Sequence, residues 1–162
     1  LWTSKPGWAC AIQTADCLPV LFSDLNSTCV AAAHVGWRGL LSNILENVTS
    51  QMPIDTTHLM AWFGPRISPK SFEIREDVVD EIRTWILGKG GIPEEFLKAH
   101  PRSQGSYLAD LSGMATLALT SVGVSKIYGV DYCSYLKSNL FFSHRRDGGL
   151  TGRMASLIAL KY

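Results

Sequence analysis

The chain has 162 residues, 46% of them hydrophobic, with fifteen basic residues against fourteen acidic ones. That length supplies one hydrophobic core and predicts a single domain over 1–162, and a net charge of +1 leaves no field to hold a polyanion, so a small molecule is favoured over nucleic acid as partner. No apolar run reaches the ~18 residues a membrane span needs and no charged-then-apolar leader opens the chain, which makes a cytoplasmic protein the expectation.

The opening "LWTSKPG" reads as a strand end running into a Pro-Gly turn. Short apolar runs rich in β-formers predict strands over 8–14, 18–23 and 29–34, with "DLNS" as the hairpin turn between the second and third. From Arg38 the period changes. Leu40, Leu41, Ile44, Leu45, Val48 and Met52 recur at helical spacing until Pro53, which cannot continue a helix. A strand over 58–63 ends at Gly64-Pro65. A helix over 76–87 carries Val78, Val79, Ile82, Trp85 and Ile86 on one side. A third helix is predicted over 107–122, with Leu108, Leu111, Ala115, Ala118 and Val122 inward, and strands over 124–130, 140–143 and 155–160 close the series. The elements are interspersed without strict alternation, which predicts a mixed α/β fold, its layered sheets carrying helices on their outer faces.

Four cysteines, Cys10, Cys17, Cys29 and Cys133, lie in a chain too large to need staples, and free thiols are expected. Asp16 and Cys17 precede Pro19 in "TADCLPVLF", and His34 leads into the Gly36 turn of "AAAHVGWRG", so both Cys17 and His34 fall at strand ends. The pair has three readings. It is a zinc or copper pair, because a soft sulfur and a borderline nitrogen suit those ions, with a third ligand drawn from His144, Cys133, His58, His100 or a residue upstream of Leu1. It is a nucleophilic dyad in which the imidazole activates the thiol. Or it is a core cysteine beside a hydrogen-bonded histidine, since free cysteine is among the most buried residue types.

Two further stretches carry chemistry. In "HVGWRGLL", Arg38 sits in the first turn of the predicted helix, where free backbone N–H groups favour an anion. In "FFSHRRDGGLTGR", Arg145, Arg146 and Arg153 lie among two glycine turns, able to close on phosphate by forked guanidinium contacts, while Asp147 offers one of them a plain scaffold partner. "FGPRISPKSFEI" is a rigid loop that could wall an aromatic ligand or simply connect two elements.

Taken in order, "TADCLPVLFSD", "AAAHVGWRGLL", "AWFGPRISPKSFEI", "YLADL", "GVSKIYGVDYC" and "FFSHRRDGGLTGRMASLIAL" resemble the YfiH-like family, long labelled multicopper polyphenol oxidase or laccase-domain proteins. The resemblance implies an αββα fold with one metal pocket, usually zinc, in which Cys17 and His34 are ligands; copper is the other metal associated with the name. It places the third ligand, a histidine, in a segment upstream of "TSKPG", which makes this chain a form lacking its N-terminal segment. It also implies phosphate-dependent cleavage of adenosine, inosine and methylthioadenosine with adenosine deamination as a companion activity, acting on purine nucleoside and phosphate as a monomer or weak homodimer. On that basis Asp16, Arg38 and Arg145 are the expected catalytic residues, and Arg38, Arg145, Arg146 and Arg153 the expected phosphate binders. The resemblance leaves three alternatives: a polyphenol oxidase, against which the chain's four histidines weigh because several coppers need many imidazoles; a hydrolase editing peptidoglycan precursors through a Cys-His site; and a metal-binding interaction module without catalysis. Against the family pattern, Arg66 stands where many relatives carry cysteine, Ser134 where threonine is usual, and His144 where tyrosine is common.

Overall fold

The computed structural model describes residues 1–161. Its centre is a five-stranded sheet in the order β1-β4-β3-β5-β9, built from β1 (Trp2–Thr3), β3 (Leu18–Asp24), β4 (Val30–Val35), β5 (Leu59–Phe63) and β9 (Lys126–Gly129). The first four pair antiparallel, whereas β9 joins β5 in parallel. Leu18, Val20 and Phe22 on β3 and Ala31, Ala33 and Val35 on β4 fall on one face at period two and are buried. Small alanines on β4 leave room for helices to approach.

The β3–β4 turn is held by one carboxylate. Asp24 accepts from the backbone N–H groups of Asn26, Thr28 and Cys29 and from the Thr28 hydroxyl. Burial acts to raise this carboxyl, but the four donors outweigh it and hold it below its ordinary value.

A two-stranded sheet of β2 (Ala9–Thr14) and β10 (Met154–Ala159) lies against β3 and β4. A three-stranded sheet in the order β6-β8-β7 is made from β6 (Glu73–Arg75), β7 (Leu97–Ala99) and β8 (Ser106–Ala109). α1 (Trp37–Leu41), α2 (Ile44–Gln51) and α5 (Leu111–Ser121) pack together beside β4, while α3 (Glu76–Gly88) and α4 (Pro93–Phe96) cover the three-stranded sheet. The mixed α/β layering expected from the sequence is the architecture observed.

Three elements differ from expectation. The helix over 38–52 is two helices, broken at Asn43, which turns left-handed with φ +57°. Asparagine is among the few residues that adopt this conformation at low cost, and the apolar period continues across the break, so nothing in the spacing marks it. The helix over 107–122 begins only at Leu111, because Asp110 caps it by accepting from the Gly113 N–H, and residues before it pair as β8. The run over 140–143 is turn and loop, tied down by side-chain hydrogen bonds. None of the described helices is long and apolar enough to cross a membrane.

Candidate functional site

Strand register brings the two chemistry-bearing ends together. Leu18 pairs with Val35 and Pro19 with His34, so continuing the ladder sets Cys17 opposite Gly36. Cys17 and His34 therefore fall on the same face, one diagonal step apart. A side chain on Gly36 would come within 3.1 Å of the Cys17 sulfur, so glycine is what lets the thiol lie across the strand end.

Cys17 and His34 line a cavity of about 310 Å³ whose other walls are Trp37, Ile67, Phe72 and Leu111, with Asp16, His144, Arg145 and Arg153 around them. Residues distant in sequence are held there by Asp16. This aspartate turns left-handed at the end of β2, φ +83°, and is 8% exposed. Its carboxylate accepts from the Ser134 hydroxyl at 2.6 Å, the Ser143 hydroxyl at 2.9 Å and the Arg145 backbone N–H at 2.7 Å. Its own carbonyl accepts from the Ile67 N–H at 2.9 Å. With both carboxylate oxygens engaged, Asp16 positions the 134–145 segment against β3.

The two neighbouring arginines of "SHRRD" diverge. Arg146 donates to Asp147 through Nε and Nη2, and to the carbonyls of Ser134, Tyr135 and Phe141. Its guanidinium is taken up inside the loop and does not line this cavity; Arg146 borders a separate cleft with Phe142, Asp147 and Thr151. Asp147 in turn accepts from the Thr151 hydroxyl and the Ser143 N–H. Its carboxyl is held below the ordinary value, by Arg146 first and Thr151 next. Arg145 faces the other way. It lines the cavity, donates through Nη1 to the Glu73 carbonyl at 2.8 Å, and lies 5.9 Å from the centre of the Phe72 ring. Arg153 also lines the cavity, steadied by the carbonyls of Thr151 and Gly152.

Arg38 is exposed and does not line this cavity. It stacks 4.2 Å over the Trp37 ring and lines an adjoining cleft of about 440 Å³, whose wall also carries Phe72, Glu73, Arg75, Asp77 and Arg145. α1 is only five residues long, so the helix-end argument for an anion at Arg38 lapses and the side-chain charge is what remains. Arg75, which also lines this cleft, sits in the charged run "EIREDVVDE" that reads in the sequence as an ordinary solvated helix start.

The described residues do not complete a metal site. Cys17 and His34 are donors of the right chemistry, but no third His, Cys, Asp or Glu among the described residues joins them in a group that could hold a metal ion. His144 lines the cavity without completing such a group. Cys133 lines a separate cleft with Lys70 and Lys137, His58 lies in the turn before β5, and His100 follows β7. The dyad reading also lacks its geometry, since no hydrogen bond joins Cys17 to any described group. Burial pushes the Cys17 thiol up and the Asp16 charge adds to it, with Arg153 opposing, so the thiolate is disfavoured at neutral pH. All four cysteines are free.

The family model described as multi-copper polyphenol oxidoreductase laccase matches residues 1–161. A purine nucleoside phosphorylase of Escherichia coli, YfiH, is 41% identical over 159 residues, covering 98% of this chain and 62% of its own length. A purine nucleoside phosphorylase of Pseudomonas aeruginosa is 38% identical over 161 residues, covering 99% of this chain and 64% of its own. A crystal structure of a Neisseria meningitidis protein of the DUF152 family superposes with a TM-score of 0.86 at 45% identity, over 95% of this chain and 61% of that one. The YfiH structure from Bacillus licheniformis gives 0.88 at 30% identity, over 99% and 60%. The chain thus spans about three fifths of the length of the relatives it matches.

Proposed function

Because this chain belongs to the YfiH-like, laccase-domain family, we propose that it cleaves purine nucleosides by phosphorolysis. The observation that carries the reading is Arg145, whose one guanidinium borders both an apolar cavity and a polar cleft. A purine fits the apolar cavity between Trp37, Ile67, Phe72 and Leu111, and an oxyanion beside it meets Arg145, with Arg153 and Arg38 to either side.

In this reading a phosphate oxygen forms the bond to C1′ of the ribose as the C1′–N9 bond breaks. The bonding pair leaves with the purine, which takes up the proton that dihydrogen phosphate gives up. The guanidiniums hold the attacking anion in line and offset its charge as positive character develops on the sugar. Cys17 and His34 offer the two zinc-type donors, and zinc bound there with a ligand from elsewhere would activate water for deamination of adenosine; phosphorolysis is derived with no step through it.

The test is to incubate the protein with adenosine, with and without phosphate, and to separate adenine from inosine. Adenine released only with phosphate, in equal amount to ribose 1-phosphate, is the expected result. Inosine formed without phosphate reports deamination. Adenosine unchanged at every phosphate concentration overturns the reading.

A further inference from the structure

We infer that the cleft beside the apolar cavity is the subsite for inorganic phosphate, and that Arg75 belongs to it together with Arg38 and Arg145. This rests on the phosphorolytic reading and adds to it the location of the anion and a residue outside every recognised motif.

Glu73, Ile74 and Arg75 on β6 all line the cleft, and Glu73 and Arg75, alternating with the buried Ile74, share one face of the strand. The wall between cleft and cavity is made by Trp37, Phe72 and Arg145, which line both. Two guanidiniums are fixed against that wall, Arg38 over the Trp37 ring and Arg145 near the Phe72 ring. Arg75 brings a third to the opening.

Two carboxylates, Glu73 and Asp77, share the cleft with three guanidiniums, so its lining keeps an excess of positive charge. The Glu73 carboxyl is held below its ordinary value, by the Ser106 hydroxyl first, with His100, Ser103 and Arg145 adding to the effect. Asp77 lies on the first turn of α3 and makes no ion pair. Among the described residues, no carboxylate lies within ion-pair distance of Arg38, Arg75 or Arg145, and Arg38 and Arg75 make no side-chain hydrogen bond. Three like charges converging on one opening repel one another, and an anion bound among them removes that cost. An anion lying against Arg145 meets a residue that also lines the apolar cavity, where the phosphorolytic reading seats the nucleoside. The cleft's volume of about 440 Å³ holds phosphate and still admits the sugar phosphate formed from it.

The experiment measures phosphate binding apart from turnover. Inorganic phosphate is titrated into the protein and followed by its ³¹P line width; separately, KM is measured for phosphate and for adenosine. Arg75→Ala is expected to weaken phosphate binding and to raise KM for phosphate by about tenfold, the usual weight of a charge-assisted contact, with KM for adenosine unchanged within about twofold. Arg75→Lys restores part of the loss, and Arg75→Glu deepens it. Arg102→Ala, an exposed arginine elsewhere, is the charge-matched control. Phosphate affinity and KM indifferent to both Arg75→Ala and Arg75→Glu overturn the inference, even where nucleosides are cleaved. Phosphate bound in an Arg75-dependent way by a protein that cleaves no nucleoside supports the subsite and overturns the phosphorolytic reading instead. Adenosine 5′-monophosphate binding in an Arg75-dependent way, with inorganic phosphate not bound, overturns the assignment to free phosphate.

Discussion

The two sides of the 134–153 segment are built on opposite terms. On the side facing β3, nearly every polar group has a partner: Asp16 takes three donors, Arg146 gives five hydrogen bonds, and Asp147 collects the donors around it. On the cavity side, the rings of His34 and His144 and the Cys17 sulfur have no hydrogen-bond partner among the described residues. The five residues of "SHRRD" divide between the two sides: Ser143, Arg146 and Asp147 bond one another and Asp16, while His144 and Arg145 line the cavity. Adjacent arginines of identical chemistry therefore sit in different surroundings, Arg146 bonded within the loop and Arg145 on the cavity lining.

The contrast is broken most severely at Asp16. Asp16→Ala strands two buried hydroxyls and a backbone N–H, and it places a side chain ill-suited to φ +83° at the corner. A loss of about 3–5 kcal/mol is expected in urea unfolding, from unsatisfied buried donors and backbone strain together. Asp16→Asn, which tolerates the left-handed turn and keeps an acceptor, costs about half as much. Equal losses for the two would mean that the charge, not the hydrogen-bond count, holds the segment.

The arginine pair sharpens the contrast. Arg146→Ala leaves Asp147 and three carbonyls without their donor and is expected to cost about 2–3 kcal/mol of stability, with phosphorolysis in the folded fraction close to wild type. Arg145→Ala keeps its backbone bond to Asp16, so stability changes by about 1 kcal/mol or less, while kcat/KM falls about 30- to 100-fold. Thermal melts and initial rates on both variants separate the roles; similar losses in both quantities at both positions would dissolve the distinction.

Asp24 is a second satisfied carboxylate, at the far end of the β3–β4 hairpin, with a smaller expected effect. Its folded value is depressed, so its contribution is complete above the ordinary carboxylate range and is lost as pH falls through the lower folded value. Asp24→Asn should lower stability at pH 7 by about 1–2 kcal/mol, and the two urea curves should converge in acid. A constant gap across pH would mean that protonation of Asp24 is not part of acid unfolding.

What could be read from the sequence follows the same division. Period-two burial over Leu18, Val20 and Phe22, and helical spacing over Val79, Ile82 and Ile86, are local consequences of burying one face, and they were legible. Cys17, His34, Arg145 and Arg153 were also legible as candidates, because strand ends and glycine turns mark where side chains are released from packing. Arg146 was indistinguishable from Arg145, since its partners are carbonyls, which no residue type announces. The break at Asn43 and the strand Ser106–Ala109 were hidden by apolar periods that run on through them. Arg75 was hidden for the opposite reason: nothing around it in the sequence departs from a charged surface, and only the fold sets it in one cleft with Trp37 and Arg38.

The smallest expected effect probes the open side directly. Burial and the Asp16 charge raise the Cys17 thiol and Arg153 lowers it, so alkylation of Cys17 should be slow at pH 7 and climb with pH beyond the ordinary thiol range. Removing the opposing charge in Arg153→Ala raises the thiol further and should slow labelling about twofold at a fixed pH, as expected for one screened charge. Peptide-level mass spectrometry assigns the label to Cys17 apart from Cys10, Cys29 and Cys133. Rapid labelling of Cys17 at pH 7 would reverse the sign, restore the nucleophilic reading of the thiol, and make the unsatisfied side of the segment a covalent site as well as a binding one.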